Sequence, residues 1–208
     1  MKLTTLCTVV ALAALAATGS SAPKPKKVKA PKFDTHPFEF DADKENRAFA
    51  DWLKGVGEPD FKGKSNEGLL LDKNADLEEP VAAGAELKHL DKVVVQAGDV
   101  VGYDLRDGSP VEAGSPRFNI SWTDANGTEG FSFVGGAANG YEESAPTPGW
   151  TRFVFPLQDP ATAFPPVPVG AKIDEVILIV DDPGVYVLDN IRYNEQFADK
   201  QGESSPEP

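Results

Sequence analysis

Cysteine, histidine and long apolar runs are scarce in this 208-residue chain, which holds one cysteine, two histidines and one methionine. Each shortage removes a class of chemistry. Cys7 lies inside an N-terminal stretch that reads as an export signal, so the mature chain is expected to carry no thiol catalysis, disulfide or cysteine-zinc site. His36 stands beside Pro37, and His89 lies in the polar stretch Lys88-His89-Leu90. Neither has a serine or aspartate motif around it, and no Gly-x-Ser-x-Gly elbow occurs, so no hydrolytic triad is visible. Two histidines this far apart also argue against a His-rich transition-metal site. Glycine-rich phosphate loops of standard spacing are absent. No internal repeat of propeller or solenoid period appears.

Positive charge is scarce where it would matter for nucleic acid. The chain has 20 basic and 33 acidic residues, a net charge of −13. Six of the basic residues precede Asp34 and no acid does, so 14 basic residues face all 33 acids in the remainder, a balance of −19. Such a surface repels phosphate backbones and excludes sequence-independent nucleic-acid binding by the folded part.

What is present divides the chain into four parts. Residues 1–22 have a signal's features: Lys2, an apolar stretch from Leu3 to Ala17, then the small residues Thr18 to Ala22. Cleavage after Gly19, Ser21 or Ala22 fits. The apolar stretch is short for a membrane span, and no later segment approaches its length, so no integral span is expected after signal removal. Residues 23–33 begin PKPKKVKAPK, a linker stiffened by proline and extended by lysine repulsion. It reads either as a solvated spacer or as an electrostatic tether to an acidic surface. Residues 34–196 are expected to form one domain, and 197–208 a disordered tail.

The domain reads as all-β. Phe118, Ile120 and Trp122 alternate with Asn119, Ser121 and Thr123. The turn Asp124–Thr128 contains Asn126-Gly127, and Phe131 and Phe133 then share one face of the returning strand. Further strands are expected at 68–73, 92–96, 100–106, 150–155, 172–180 and 185–193. The run ending Val176–Val180 suits a strand buried on both faces or a central one. Asp43–Lys54 reads as a short helix or an irregular edge, and Gly135–Gly149 as a long exposed loop. Many short strands between turns point to an antiparallel β-sandwich of jelly-roll type. Asn119 and Asn126 fit the glycosylation acceptor pattern, which matters only in a eukaryotic source.

Gly149-Trp150-Thr151-Arg152-Phe153, the loop with Ala163-Phe164-Pro165, the apolar strand, and Val187-Leu188-Asp189-Asn190-Ile191 follow in one order. This closing half resembles the galactose-binding-like jelly roll of carbohydrate-binding modules. Gly102–Arg106 and Gly114–Asn119 resemble segments of secreted bacterial domains of that shape. The resemblance implies a glycan or polysaccharide partner and a structural calcium ion. Its ligands would be Glu39, Asp41 and Asp43 from the first strand and Asp189 from the last. The alternative is that Asp189 accepts hydrogen bonds from loop backbone while the early acids are solvated. Asp189 is expected to share a strand face with Val187 and Ile191, and on an inward face its carboxylate would need a partner.

Sugar faces stack on flat rings, which makes Tyr103, Trp122, Tyr141 and Trp150 candidate ligand contacts, with Asn139 and Glu142 flanking Tyr141. Against this, strand tryptophans commonly belong to the core. Arg117 and Arg152 are expected to pair with acids, beside the groove or on open surface. Glycoside hydrolysis would need two acids across a sugar. Glu142-Glu143, Asp174-Glu175 and Asp181-Asp182 are only sequence neighbours, which point apart in strands. The expected function is therefore a secreted, non-catalytic carbohydrate-binding domain. A structural or protein-interaction module of the cell surface is the alternative, and a carbohydrate-active hydrolase ranks third.

Overall fold

A computed structural model describes residues 32–59, 66–145 and 147–198. The expected signal, most of the linker and nearly all of the tail lie outside these residues. The 117–135 hairpin forms in the register its turn favours: Phe118 pairs with Val134 and Ile120 with Ser132, while Asn119 pairs with Phe133 and Ser121 with Phe131. Side chains alternate across a strand. One face of the hairpin therefore carries Phe118, Ile120 and Val134, all buried, and the other carries Asn119, Phe131 and Phe133.

The same alternation organises two antiparallel sheets. The first contains β1 (Asp34–Asp41), β4 (Val81–Lys88), β11 (Lys172–Val180), β6 (Arg117–Thr123), β7 (Glu129–Gly135) and β10 (Ala163–Phe164), in that spatial order. The second contains β2 (Ala48–Lys54), β3 (Glu67–Lys73), β12 (Gly184–Tyr193), β5 (Val100–Arg106), β9 (Trp150–Pro156) and β8 (Tyr141–Ser144), with β13 (Gln196–Ala198) added to β12. Their inner faces meet in one core, and the architecture is the β-sandwich that the alternation implied. Tyr103, Phe118 and Phe155 sit at its centre with ring centroids 5.4 to 6.2 Å apart, and Phe153 stands 6.0 Å from Tyr103. Among the described residues, no helix is long and apolar enough to cross a membrane.

β11 is central, as its apolar run suggested. Val176, Leu178 and Val180 are buried, while Ile177 and Ile179 are half-buried on the outer side. Three local expectations change. Asp43–Lys54 is not helical: Ala48–Lys54 pairs along its whole length with β3. Positive φ at Lys44 and Asn46 turns the chain beforehand. Asp41 organises that turn by accepting the amides of Asp43, Glu45 and Arg47 at 3.0–3.2 Å. Lys92–Gln96 is not a continuous strand: it forms an isolated bridge, Val94 to Lys172, flanked by backbone hydrogen bonds to Gly170, Ala171 and Ile173. The expected loop 135–149 contains one 3-10 turn, Ala137–Asn139, and the edge strand β8.

The domain edges also shift outward. Phe33 is buried, so the last residue assigned to the linker belongs to the core. Phe197 and Ala198, assigned to the tail, are buried as well. β4 is poor in strong strand formers, but its inward Ala83 and Ala85 pack fully buried in the core.

Lys73, at the end of β3, is buried and donates to three backbone oxygens: Leu77 at 3.2 Å, Glu79 at 3.3 Å and Asp181 at 2.8 Å. It ties the 74–80 turn to the end of β11. Lys73→Met keeps much of the packing but strands these carbonyls. It is expected to cost about 3 kcal/mol in chemical denaturation, because charged hydrogen bonds each contribute roughly 1.5–3 kcal/mol.

Candidate functional site

The sandwich separates the aromatic residues proposed from sequence. Tyr103 is a core residue: its exposure is 0% and its hydroxyl donates to the Pro116 carbonyl at 2.8 Å. It has no face left for a ligand. Trp122 follows Phe118 and Ile120 on the inner side of β6, and its indole N–H donates to Ser132 Oγ at 2.9 Å. Its half-buried ring packs against the core. Tyr141 stands exposed on β8, donating its hydroxyl to Asp159 Oδ2 at 2.6 Å. Trp150 is half-buried on β9 beside Glu142 and Glu143, in a shallow depression of about 520 Å³. Asn139 lies elsewhere, in a groove on the first sheet.

That groove is built by β6, β7 and β10. Phe131 and Phe133, two apart on β7, share its outer face and meet edge-on at 5.0 Å. Phe164 pairs directly with Phe133 across β7 and β10, which sets their Cβ atoms about 5 Å apart. Phe133 is 48% exposed and Phe164 77%. Beside them opens a cavity of about 320 Å³, walled by Arg117, Asn139, Thr162 and the backbone at 113–114. Gly136 makes this wall possible, because its φ is 77° and a Cβ there would stand 1.8 Å from the Ala113 carbonyl oxygen.

The polar groups of the groove are largely committed. Arg117 lies over the Phe133 ring, 5.3 Å from its centroid. It donates to Asn119 Oδ1 at 3.1 Å and the Gly114 carbonyl at 2.8 Å, and to both Asp181 carboxylate oxygens at 2.5 Å. Burial pushes the Asp181 carboxyl upward, but the Arg117 pair outweighs it and holds that carboxyl below its ordinary range. Asn139 donates its amide to the Ala113 and Gly135 carbonyls at 3.0 and 3.4 Å. Its Oδ1 remains as an acceptor.

Sequence reasoning placed Phe131 and Phe133 on one face but did not assign them a ligand role. The signal was present: the hairpin register sets them opposite Asn119 and Ser121, on the polar side. Phe164 carried no local signal, because its strand has two residues and its partner lies 31 positions earlier in the chain.

The calcium ligands implied by the resemblance do not assemble. β1, with Glu39 and Asp41, lies at an edge of the first sheet, whereas Asp189 lies in the second. Glu39 accepts the Ala50 amide at 3.2 Å, and Asp41 is held by Arg47 at 3.0 Å. Arg47 also pairs with Asp43. Among the described residues, no group of three histidine, cysteine, aspartate or glutamate side chains is placed to hold a metal ion. The early acids are not merely solvated, since they shape the turn into β2.

Asp189 takes the other role considered for it, accepting backbone amides. Glu58 N–H and Asn190 N–H each donate to it at 2.7 Å. Positive φ at Asn190 breaks the alternation, so Leu188 and Ile191 both enter the core while Asp189 points out of it. It is nevertheless sealed, at 5% exposure. Gly57 crosses directly above, where a Cβ would stand 2.6 Å from Asp189 Oδ2. Beside it, Asp104 accepts two hydrogen bonds from Arg152, at 2.7 and 2.9 Å, and one from Asn190 at 2.9 Å. Glu58 completes the cluster through Asp104, Thr147 and Asn190. Arg152 therefore pairs with an acid, as expected, but in a closed site on the opposite sheet from Arg117.

Burial pushes Asp189 up to about 8, against the pull of the Asn190 and Glu58 amides. Burial also pushes Glu58 up to about 7, assisted by its hydrogen bond with Asp104. The unfolded chain releases these protons near pH 4, so the folded state holds them more tightly. Their stabilising effect is complete below about pH 4, declines as pH rises, and is lost above about pH 8. Glu58→Gln keeps the shape and removes one titration. It is expected to spare about 2 kcal/mol of the stability that the unsubstituted chain loses between about pH 5 and 9, read from denaturation midpoints across that range.

No protein-family model matches the chain, and no curated protein does. Among solved structures, it is similar to the family 11 carbohydrate-binding module of the cellulosomal cellulase Lic26A-Cel5E of Clostridium thermocellum. That likeness has 14% identity and a TM-score of 0.39, over 84% of this chain and 92% of the module. It is also similar to an exo-β-agarase, at 12% identity and a TM-score of 0.36, over 87% of this chain and 24% of the agarase. Both are likenesses of fold, and the β-sandwich itself rests on the strand register of this chain.

Proposed function

We propose that this chain is an exported, non-catalytic β-sandwich domain that binds carbohydrate in the groove of β6, β7 and β10. The observation that carries the reading is the exposed Phe133–Phe164 pair beside a cavity lined by the polar side chains of Asn139 and Thr162. Apolar rings facing water on a rigid sheet favour a ligand with flat C–H faces, and a few placed polar groups orient it. A pyranose offers C–H faces and hydroxyl donors together. Export is supported by the signal-like features of residues 1–22.

The chemistry of the groove supports binding rather than bond cleavage. No carboxylate lines it, whereas glycoside hydrolysis needs two across the scissile bond. The clustered acids Glu58, Asp104 and Asp189 are buried on the other sheet and share internal hydrogen bonds. His36 and His89 both rest on Asp34, at 3.3 and 3.2 Å, with half or more of each ring in solvent or nearly so.

Affinity electrophoresis through gels containing soluble polysaccharides tests the reading. The unsubstituted chain is expected to be retarded by at least one of them. Phe133→Ala combined with Phe164→Ala is expected to weaken that retardation about tenfold, equivalent to about 1.4 kcal/mol. A folded sample that no polysaccharide slows, or full retention by the double variant, overturns it.

A further inference from the structure

The groove contains one ionisable side chain, Arg117, and that charge is cancelled before any ligand arrives. A guanidinium has five N–H donors. Four are committed: one to Asn119, one to Gly114 and two to Asp181. The two contacts with Asp181 form a fork-to-fork pair, the same arrangement by which arginine holds the carboxylate or phosphate of a ligand. Asp181 therefore occupies the position on Arg117 that an anionic ligand would need. Asp181 is itself fixed, because Ser115 Oγ donates to its carboxylate at 3.2 Å and accepts its amide at 3.1 Å.

We infer that Asp181 is a specificity-determining residue that neutralises Arg117 and makes the groove select neutral over anionic glycans. The inference rests on the carbohydrate reading above and names the ligand class for the same groove. An anionic chain carrying uronate or sulfate would have to displace Asp181 from Arg117 and leave a half-buried carboxylate without its guanidinium, held only by Ser115. What remains available is the Phe133 and Phe164 ring surface, Asn139 Oδ1 and one guanidinium N–H. These suit ring C–H groups and hydroxyls. The net charge of −13 adds a general repulsion of anions, but salt screens it over about 8 Å at physiological strength. Selectivity that persists at that salt must come from the local pair.

Two polymers with one backbone make the test. Hydroxyethylcellulose is neutral and carboxymethylcellulose is anionic, and both carry the cellulose backbone. Affinity electrophoresis of the full chain at about 0.15 M salt is expected to show at least tenfold weaker retention on the anionic member of the pair than on the neutral one. Asp181→Asn keeps the size of the side chain and releases the guanidinium charge. It is expected to raise the anionic-to-neutral retention ratio about tenfold, with the gain disappearing as salt is raised to about 1 M, where the Debye length is near 3 Å.

Equal retention of both members by the unsubstituted chain overturns the inference while leaving carbohydrate binding intact, and this arm holds whether or not the variant folds. A folded Asp181→Asn chain with an unchanged ratio also overturns it. Retention of no polymer by a folded sample overturns the carbohydrate reading and this inference with it.

Discussion

The inward packing of Tyr103, Phe118, Phe153 and Phe155 between two sheets is the constraint on which the remaining structure depends. Each large ring removed from water contributes roughly 1.5–3 kcal/mol, and together they hold the sheets in one relative position. This packing consumes the strand aromatics that lie on inner faces. The most exposed rings of the first sheet's β7 and β10 are those on its outer face, Phe131, Phe133 and Phe164. Core formation thus decides which rings are available to a ligand.

The two outer faces have opposite characters. On the first sheet, β6, β7 and β10 leave rings exposed and polar groups mutually satisfied, which gives a rigid platform with few charges. On the second sheet, a strap through Gly57 and Glu58 seals three carboxyl groups with one guanidinium from Arg152. Burying charges costs several kcal/mol per ion unless hydrogen bonds compensate. Here the amides of Glu58 and Asn190, the Asn190 side chain and retained protons supply that compensation. The acid cluster on the second face is consequently structural.

Arginine–aspartate pairing appears on both faces with different consequences. Arg152 and Asp104 are buried and hold β9 against β5. Arg117 and Asp181 stand beside an open groove, where the proposed role of the same geometry is to select the ligand. Exposure, rather than residue type, separates the two pairs.

Much of this organisation was legible in local patterns. The all-β class followed from short alternating runs between turns, and the 117–135 hairpin from Asn126-Gly127 and its flanking alternation. The helix-or-edge ambiguity of residues 43–54 was irreducible locally, since Ala48, Phe49, Trp52 and Leu53 are compatible with both periods; pairing with β3 decided it.

The sequence by itself determined the all-β class, the positions of β3, β5, β6, β7, β9, β11 and β12, and the alternation within them except at Asn190. Which face points inward, and which distant residues become neighbours, only the tertiary structure decided. A period-two pattern leaves both orientations open, and the choice is made by pairing across the sheets. That pairing buried Tyr103, turned Asp189 away from Ile191 at the Asn190 bulge, and set Phe164 against Phe133. It also brought Asp181 to Arg117, 64 residues away in the chain. No local pattern encodes such contacts, because they exist only once the core has closed.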